Sequence, residues 1–282
     1  MRIALVGAEG QLGAAIAHEC CSGHDVIEFS HGLLDVTNDA AVRETMARAK
    51  PDAIINCAAY NDVDGAEDHA VDALNLNAFA VRALARAAAA EQCALVHYST
   101  DFVFDGKAGR PYAESDAPNP RGTYAASKLM GEWFAAEAPR AYVLRVESLF
   151  GSVKGARPAK GSVASILKAI RAGAEARVFE DRTISPTYVF DAAAATRALL
   201  EQQAPSGIYH CVNSGSCTWV DLARALARES GIEARLVPVR MADAKLRADR
   251  PMYCVLSNDK LAALGIAMPS WQDAVRRYIA AS

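Results

Sequence analysis

No apolar run in the 282-residue sequence is long enough to span a membrane. A spanning helix needs roughly 18 consecutive apolar residues, and the stretch before Gly7 is too short for the apolar core of a signal peptide. Clusters of lysine and arginine are missing as well, and the formal net charge is -3. We therefore expect a cytoplasmic protein that binds neither membranes nor nucleic acids.

Cysteine patterns typical of disulfide-stabilised or zinc-binding proteins are also absent. The seven cysteines are an odd number, and none stands in a CxxC pair, which favours free thiols in a reducing compartment. His18, Cys21 and His24 are close in sequence, but no second ligand pair follows with zinc-type spacing. A helix end that leads into a turn explains these three residues equally well, so we predict no metal.

What the sequence does contain is an alternation of strands and helices. Apolar residues make up 52% and charged residues 22%, as in an ordinary globular protein. Short β-branched runs alternate with longer helical segments, which indicates crossover connections and a parallel sheet covered on both faces. We expect strands at 2–7, 25–29, 52–58, 94–99 and 141–146, and helices at 11–21, 38–50, 67–92 and 122–138. The sequence thus predicts an α/β fold with a doubly wound, Rossmann-like parallel sheet.

The rhythm changes after Gly151, where a polar loop at 152–161 precedes a less regular region. We expect residues 1–150 to form a dinucleotide-binding domain, with part of 185–215 returning to it. Residues 151–282 are expected to form mainly a smaller C-terminal substrate-binding lobe.

A glycine-rich turn, GAEGQLG, places Gly7, Gly10 and Gly13 between the first strand and the first helix. Glycine at these positions allows a tight turn and lets the backbone approach a pyrophosphate at the helix N-terminus. Gln11 and Leu12 belong to the same turn. Any strand-to-helix turn can use glycine, but the position directly after the first strand favours a dinucleotide site.

Ser30 and His31 follow the second strand, where dinucleotide-binding proteins distinguish NAD from NADP. An acid there binds the ribose 2′-hydroxyl of NAD, whereas a cation binds the 2′-phosphate of NADP. Glu28 is expected to lie within the strand, so Ser30 and His31 favour NADP, with NAD as the alternative. Asp35 and Val36 are placed to flank the adenine.

The third strand ends in small residues, which let the chain pass close to a flat ligand. We expect this stretch to line the ribose and phosphates of the cofactor. Its residues are Asn56, Cys57, Ala58, Ala59 and Tyr60. Asn77 lies inside a predicted helix, where asparagine is unfavourable. We therefore expect Asn77 to bridge buried backbone groups or water near the cofactor.

Tyr124 and Lys128 stand four positions apart in a helical stretch, so both project from one helix face. Thr100 ends the fourth strand, at the edge where open α/β sheets bind ligands, and its hydroxyl could donate to a substrate carbonyl. A nearby ammonium lowers the pKa of a phenol from about 10, which would make Tyr124 a usable proton donor. A surface helix with an extended lysine would show the same spacing.

In this order, the motifs resemble the extended short-chain dehydrogenase/reductase family, and within it the dTDP-4-dehydrorhamnose reductases. The resemblance rests on GAEGQLG, NCAAYNDVDGAE, LNLNA, HYSTDFVFDG, YAASKLMGE, LRVESLFG, SPTYVFDAA, GIYHCVNSGSCTW, RPMYCVLSNDKL and PSWQDAV. It implies reduction of the C4 ketone of a nucleotide-linked 6-deoxyhexulose, with Thr100, Tyr124 and Lys128 as catalytic residues. The residues implied on the substrate side are Thr100, Asp101, Val103, Glu147, Ser148, Arg182 and Arg250, in or beside loops at 146–160 and 182–187.

Two departures from the family pattern concern the hexose and the metal. The family commonly has an R-x-x-W sequence after the fifth strand, whereas this chain has Ser148 in place of the tryptophan and Glu147 beside it. Some members bind magnesium through a glutamate on the first helix, where this chain has Ala15. Two alternative functions stay open. The protein could be a reductase or epimerase for another sugar nucleotide, or a non-catalytic NADP-binding subunit. Formation of a homodimer is also possible.

Overall fold

A six-stranded parallel sheet forms the centre of the computed structural model, which describes residues 1–153 and 161–282. The strands of the chain are β1 (Arg2–Val6), β2 (Asp25–Phe29), β3 (Ala53–Asn56), β4 (Ala94–Thr100), β5 (Arg140–Val146), β6 (Leu149–Phe150), β7 (Glu175–Phe179), β8 (Thr183–Ile184), β9 (Thr187–Tyr188), β10 (Gly207–His210), β11 (Cys217–Thr218) and β12 (Arg235–Val239). The central sheet has the order β2-β1-β3-β4-β5-β10, so its winding direction reverses between β1 and β3. Most of the predicted loop at 152–161, and part of the sugar-side loop at 146–160, fall outside the described residues.

Helices connect these strands and complete the chain. They are α1 (Gln11–Cys20), α2 (Asp39–Ala49), α3 (Gly65–Asp68), α4 (Ala70–Leu74), α5 (Ala80–Ala90), α6 (Gly122–Ala135), α7 (Ser162–Arg171), α8 (Val189–Glu201), α9 (Trp219–Ser230), α10 (Asp259–Ala263) and α11 (Trp271–Ala280). A π-helical turn spans Asn75–Phe79, and 3₁₀ turns span Asp101–Val103 and Met241–Asp243. None of the described helices is both long and apolar enough to cross a membrane.

Both faces of the central sheet are buried under helices. On one face, α1 and α8 pack with alternate strand residues such as Ile3 and Leu5. On the other face, α2, α5 and the end of α6 pack with Ala4 and Val6. Because strands buried on both sides need apolar residues throughout, they read in the sequence as continuous apolar runs. The predicted doubly wound α/β fold is confirmed.

The helix predicted at 67–92 is interrupted, and this part of the prediction is wrong. The chain bends at His69 between α3 and α4, and the π-helical turn then widens the helix before α5 begins. Such single turns often mark functional positions. Here the wide turn contains Asn77, whose buried side chain bonds to a neighbouring loop rather than to its own helix.

A second apolar core lies between residues 150 and 278, in the part of the chain predicted to form the smaller lobe; the domain division itself stays a prediction. Three two-stranded sheets pair β7 with β12, β8 with β11, and β6 with β9. Helices α7, α9 and α11 enclose apolar side chains that include Phe150, Trp219 and Trp271. The chain returns from β9 through α8 to β10, which extends the central sheet beside β5. This return sets the lobe next to the ends of β4 and β5.

Candidate active site

The glycine turn lies where the sheet reverses its winding. Gly7 has a positive φ of 75°, and a Cβ atom there would lie 2.7 Å from the Ala58 backbone nitrogen at the end of β3. A Cβ on Gly13 would lie 2.8 Å from the Ala8 Cα atom. Only glycine allows these contacts, and the result is an open cradle over the first amides of α1. This cradle fits the pyrophosphate of a dinucleotide.

Gln11 and Leu12 begin α1 within this turn. The Gln11 side chain donates a 2.6 Å hydrogen bond to the Gly151 carbonyl oxygen, whereas the Leu12 side chain packs in the core. Leu12 can therefore contact a cofactor only through its backbone atoms. Both residues stay predicted cofactor contacts.

The predicted NADP-selecting residues lie on an exposed loop after β2. Glu28 lies within β2, as expected, Ser30 is half-buried and His31 is exposed. The Asp35 carboxylate accepts hydrogen bonds from the Thr37 hydroxyl and amide, and these bonds lower its pKa. The Val36 side chain is part of the core. The 2′-phosphate and adenine contacts of these residues stay predictions.

Asn77 joins the loop after β3 to α6. Its side chain accepts a 2.8 Å hydrogen bond from the Tyr60 amide and donates a 3.0 Å bond to the Tyr60 carbonyl oxygen. It also donates to the Ser127 hydroxyl at 3.0 Å. As expected, Asn77 is buried and bridges backbone groups. The loop itself, from Cys57 to Tyr60, is half-buried beside the glycine cradle.

Tyr124 lies in the first turn of α6, against the end of β4. Its side chain is buried, and its ring meets the edge of Phe102 with centroids 5.7 Å apart. Burial raises the pKa of the phenol, whereas the nearby Thr100 hydroxyl opposes this shift. The Glu67 carboxylate caps the helix by accepting a 2.7 Å bond from the Thr123 amide. The structure thus brings Thr100 and Tyr124 together.

Lys128 reaches the same region but does not act on the phenol as predicted. Its ammonium donates a 2.6 Å hydrogen bond to the Tyr98 carbonyl oxygen in β4. Burial lowers the pKa of Lys128 to about 8, opposed by Glu132 and Cys57. The pKa of Tyr124 is raised rather than lowered, because burial outweighs the other influences. The expectation of a lowered phenol pKa is therefore wrong for this structure.

Most predicted substrate residues are buried rather than open to a pocket. Asp101, Glu147 and Arg182 are each no more than 6% exposed, and the Val103 side chain lies in an apolar cluster with Phe104 and Leu129. Ser148 is half-buried and has a left-handed backbone with φ of 45°. Their contacts with a substrate stay predictions.

Cys254, which the sequence motifs did not single out, lies in a buried group of acidic and thiol side chains with Asp101 and Glu147. One atom of each lies within 4.8 Å of the others, and this is the only such group within 1–153 and 161–282. More than a hundred residues separate Cys254 from its neighbours in this group, so no local pattern could have indicated it.

Arg250 is held by Asp64 at the edge of the candidate site. Two hydrogen bonds of 2.8 and 2.9 Å join the guanidinium to the two carboxylate oxygens, and the Ala248 amide donates a further bond to Asp64. The hydrogen bonds from Arg250, ahead of the other influences, lower the pKa of Asp64 to about 2. The pair ties the segment before α10 to the loop after β3. The contact of Arg250 with the substrate stays a prediction.

Comparisons with known proteins agree with this geometry. The family described as RmlD substrate binding domain matches residues 1–282. A dTDP-4-dehydrorhamnose reductase of Mycobacterium tuberculosis is 35% identical over 99% of this chain and 93% of its own length. A probable dTDP-4,6-dihydroxy-2-methyloxan-3-one 4-ketoreductase of Streptomyces antibioticus is 36% identical over 98% of this chain and 94% of its own. The crystal structure of a dTDP-4-dehydrorhamnose reductase from Bacillus anthracis in complex with NADP superposes with a TM-score of 0.94 at 31% identity, covering 100% of this chain and 99% of the other.

Proposed function

This chain belongs to the family described as RmlD substrate binding domain, and from that membership we propose that it is an NADPH-dependent reductase. Its substrate is a nucleotide-linked 6-deoxyhexulose, whose C4 ketone becomes an alcohol. The names of the relatives from Mycobacterium and Streptomyces, a reductase and a 4-ketoreductase of dTDP-linked compounds, support this reaction class.

The meeting of Thr100, Tyr124 and Lys128 at the carboxyl end of β4 is the observation that carries the proposal. The Tyr124 phenol lies close enough to the Thr100 hydroxyl for that hydroxyl to lower the pKa of the phenol, and Lys128 donates a hydrogen bond to the Tyr98 carbonyl oxygen, two residues earlier on the same strand. The glycine cradle lies at the same edge of the sheet, at the ends of β1 and β3. Ligands of open α/β sheets bind at this edge.

The residues present fit a dinucleotide cofactor. A Cβ at Gly7, Gly10 or Gly13 would press on neighbouring backbone atoms, so glycine lets this turn close tightly before α1, where a dinucleotide pyrophosphate binds in such folds. Ser30 and His31 lie on the loop after β2, where the 2′-phosphate of NADP would bind. When bound, the reduced nicotinamide supplies the hydride that reduces the ketone carbon. The NADP complex of the Bacillus anthracis reductase supports NADP as the cofactor, with NAD as the alternative.

The role of Tyr124 is to give a proton to the ketone oxygen. Its raised pKa keeps the phenol protonated until negative charge develops on that oxygen, because a phenolate in this buried position is unfavourable. The Thr100 hydroxyl lies beside the phenol. In this structure the Thr100 hydroxyl donates to Asp101 at 3.0 Å, so a hydrogen bond from Thr100 to the substrate requires that hydroxyl to turn. Lys128, whose ammonium donates to the Tyr98 carbonyl oxygen, would bind the nicotinamide ribose.

The identity of the hexose follows less directly from these residues. Ser148 takes the position where the family commonly has tryptophan, so an aromatic ring face for the sugar is missing there. The relative from Streptomyces antibioticus is named as a 4-ketoreductase for a sugar other than dehydrorhamnose. A reductase for a different dTDP-linked 4-ketohexose is therefore the second candidate function.

Oxidation of NADPH by a panel of nucleotide-linked 4-ketohexoses tests the proposal. We expect dTDP-linked 6-deoxy-4-ketohexoses to consume NADPH at a rate that NADH does not match, since Ser30 and His31 favour the 2′-phosphate. The parent sugar nucleotides with a C4 hydroxyl serve as controls and should not react. A protein that binds NADPH but turns over no ketone in the panel would instead be a non-catalytic NADP-binding subunit.

Location and assembly are part of the same proposal. All seven cysteines are free, which supports a cytoplasmic, reducing compartment.

Trp133 on α6 is 63% exposed and Phe79 before α5 is 39% exposed, so these neighbouring helices offer an apolar surface to a second copy of the chain. A homodimer would show twice the chain mass in sedimentation equilibrium. The Trp133→Glu variant should show the mass of the monomer.

A further inference from the structure

Next to Thr100, four polar side chains from distant parts of the chain form a buried cluster, here called the acid cluster. Asp101 follows β4, Glu147 follows β5, Arg182 precedes β8, and Cys254 lies before α10. Their exposed fractions are 3%, 1%, 6% and 1%. The cluster is one hydrogen bond away from the candidate catalytic residues, because the Thr100 hydroxyl donates to Asp101.

Each carboxyl group of the acid cluster has one satisfied oxygen and one orphan oxygen. Asp101 Oδ1 accepts the Thr100 hydrogen bond at 3.0 Å, and Glu147 Oε2 accepts from the Ser185 amide at 2.5 Å. Asp101 Oδ2 and Glu147 Oε1 are sealed from solvent and have no hydrogen-bond partner among the described residues. Two ionised carboxylates would therefore leave two buried acceptors without a donor, which is strongly unfavourable.

Arg182 offsets one negative charge but not two. Its Nη2 atom lies 3.3 Å from Cys254 Sγ and 3.6 Å from Asp101 Oδ2, and its Nε atom donates to the Pro251 carbonyl oxygen. The guanidinium also lies over the Phe102 ring, with 5.1 Å between the Cζ atom and the ring centroid. One cation facing two buried carboxyl groups favours a state in which a single carboxyl is ionised.

One carboxyl oxygen of Glu147 lies within 4.8 Å of one carboxyl oxygen of Asp101. We propose that Glu147 is a protonated carboxylic acid at neutral pH, whose Oε1 hydroxyl is directed to Asp101 Oδ2. A single proton placed there satisfies both orphan oxygens at once. Oε2 remains the carbonyl oxygen that accepts from the Ser185 amide, and Asp101 remains the carboxylate that faces Arg182 and accepts from Thr100. Every polar group of the two carboxyls then has a partner.

The electrostatic surroundings agree with this assignment. Burial, followed by repulsion from Asp101, raises the pKa of Glu147 well above its ordinary value, whereas Arg182 and Ser185 oppose the shift. Burial also raises the pKa of Asp101, opposed first by Arg182. The other titratable groups that interact with the pair are Cys254, Cys217 on β11 and Tyr124 on α6. Burial raises the pKa of all three of these groups, so they add no charge near neutral pH.

A divalent cation is the other occupant that the ligand atoms could suggest. The Arg182 guanidinium already lies within 3.3 Å of Cys254 Sγ and 3.6 Å of Asp101 Oδ2. A metal bound by the same atoms would face this positive group at close range in a dry pocket. A proton shared by Glu147 and Asp101 avoids that repulsion.

The consequence for catalysis, which rests on the proposed function, is that Glu147 acts as a positioning residue. Its hydroxyl holds Asp101, Asp101 accepts the hydrogen bond of the Thr100 hydroxyl, and Thr100 lies beside the Tyr124 phenol. Ionisation of Glu147 would set two carboxylates against each other and displace Asp101 from Thr100. The surroundings of the Tyr124 phenol would then change although the phenol itself has not.

The pH dependence of folding tests the assignment without any substrate. In the unfolded chain Glu147 loses its proton near its ordinary pKa of about 4.3, whereas the folded chain keeps it. Unfolding therefore releases a proton above that pH, and the folding equilibrium constant should fall about tenfold per pH unit until Glu147 ionises in the folded state. Urea unfolding at a series of pH values measures this slope.

Glu147→Gln provides the matched variant, because its amide can donate to Asp101 and accept from Ser185 in the same shape. We expect the ratio of wild-type to Glu147→Gln folding constants to fall steadily from about pH 4.5 upward. Glu137→Gln, which removes an exposed carboxyl, controls for loss of one negative charge and should give a flat ratio. A flat ratio for Glu147→Gln would mean that Glu147 is ionised in the folded protein, and it would overturn the proposal.

Three further readouts keep the test decisive. Asp101→Asn removes the negative charge beside Glu147 and supplies an amide that can donate to its carboxylate, so Glu147 can ionise opposite Arg182 and the slope should also disappear. Zn²⁺ added to the wild-type protein should leave its thermal midpoint unchanged. A rise in the midpoint that Glu147→Gln lacks would instead indicate a metal site.

If the protein reduces ketones, wild-type kcat should decline at the pH where the folding constant stops falling, and Glu147→Gln should lack that decline. Absence of activity would contradict the proposed function but leave the folding measurement able to decide the protonation of Glu147.

Discussion

Tyr124→Phe is expected to lower turnover roughly 100-fold or more, the usual contribution of a positioned proton donor. The change removes the hydroxyl that gives its proton to the ketone oxygen, while the ring keeps its edge contact with Phe102. The cofactor cradle at Gly7 and Gly13 is unaffected, so the Kd for NADPH should stay within about threefold of the wild-type value. Steady-state kinetics and fluorescence titration of NADPH measure the two effects separately.

Tyr142→Phe is the matched control for this variant. Tyr142 is also a buried tyrosine, and its hydroxyl donates a 2.8 Å hydrogen bond to the Ala204 carbonyl oxygen. It lies near the start of β5, away from the carboxyl edge of the sheet. The control should lose some stability and keep its turnover. Wild-type turnover in Tyr124→Phe would remove the phenol from the mechanism.

Arg145→Met is expected to lower the free energy of unfolding by about 3–5 kcal/mol. Arg145 and Glu132 are 1% and 3% exposed, and two hydrogen bonds of 2.8 and 2.7 Å join them. Without the guanidinium, the Glu132 carboxylate remains buried, and the Ser99 hydroxyl at 2.5 Å is the side-chain donor left to it among the described residues. The methionine fills much of the space beside Phe104, so the loss reports mainly on the uncompensated charge.

A double variant separates the charge effect from packing. Arg145→Met with Glu132→Leu removes both charges, so it should recover much of the stability that Arg145→Met loses. Urea unfolding of the two single variants and the double variant gives the interaction energy of the pair. A loss below about 1 kcal/mol in Arg145→Met would mean that solvent or another cation reaches Glu132.

The sequence was most informative where a local pattern determines local structure. Buried parallel strands need unbroken apolar runs, so β1, β3, β4 and β5 could be located within a residue or two. The cradle at Gly7 and Gly13 could be predicted because a tight turn between a strand and a helix excludes larger side chains at those positions. In the same way, the position of Asn77 inside a helical pattern indicated a buried polar role.

Features that depend on distant contacts could not be predicted. Lys128 was expected to act on Tyr124, but which partner a lysine reaches depends on the fold, and here it bonds to the Tyr98 carbonyl oxygen. The sequence alone suggests that three polar residues are exposed to a ligand, namely Asp101, Glu147 and Arg182. The lobe packs over the ends of β4 and β5 and buries them together, which no pattern within a single segment reveals.

The break between α4 and α5 shows the same limit. The composition of 67–92 favours one continuous helix, because alanine and leucine dominate it. The Asn77 side chain accepts from the Tyr60 amide and donates to the Tyr60 carbonyl oxygen and the Ser127 hydroxyl, and these bonds accompany a π-helical turn in place of the regular helix. Tertiary hydrogen bonds thus decide a local conformation that intrinsic propensity predicts differently.

The site of hydride delivery is the central claim, and isotope transfer tests it most directly. The protein is incubated with a dTDP-linked 6-deoxy-4-ketohexose and NADPH that carries deuterium at the transferred position of the nicotinamide, and the product is analysed by mass spectrometry and NMR. We predict one deuterium atom, bound to C4 of the hexose, and an ordinary proton from water on the new hydroxyl. A product without deuterium, or with deuterium at another carbon, would contradict the account.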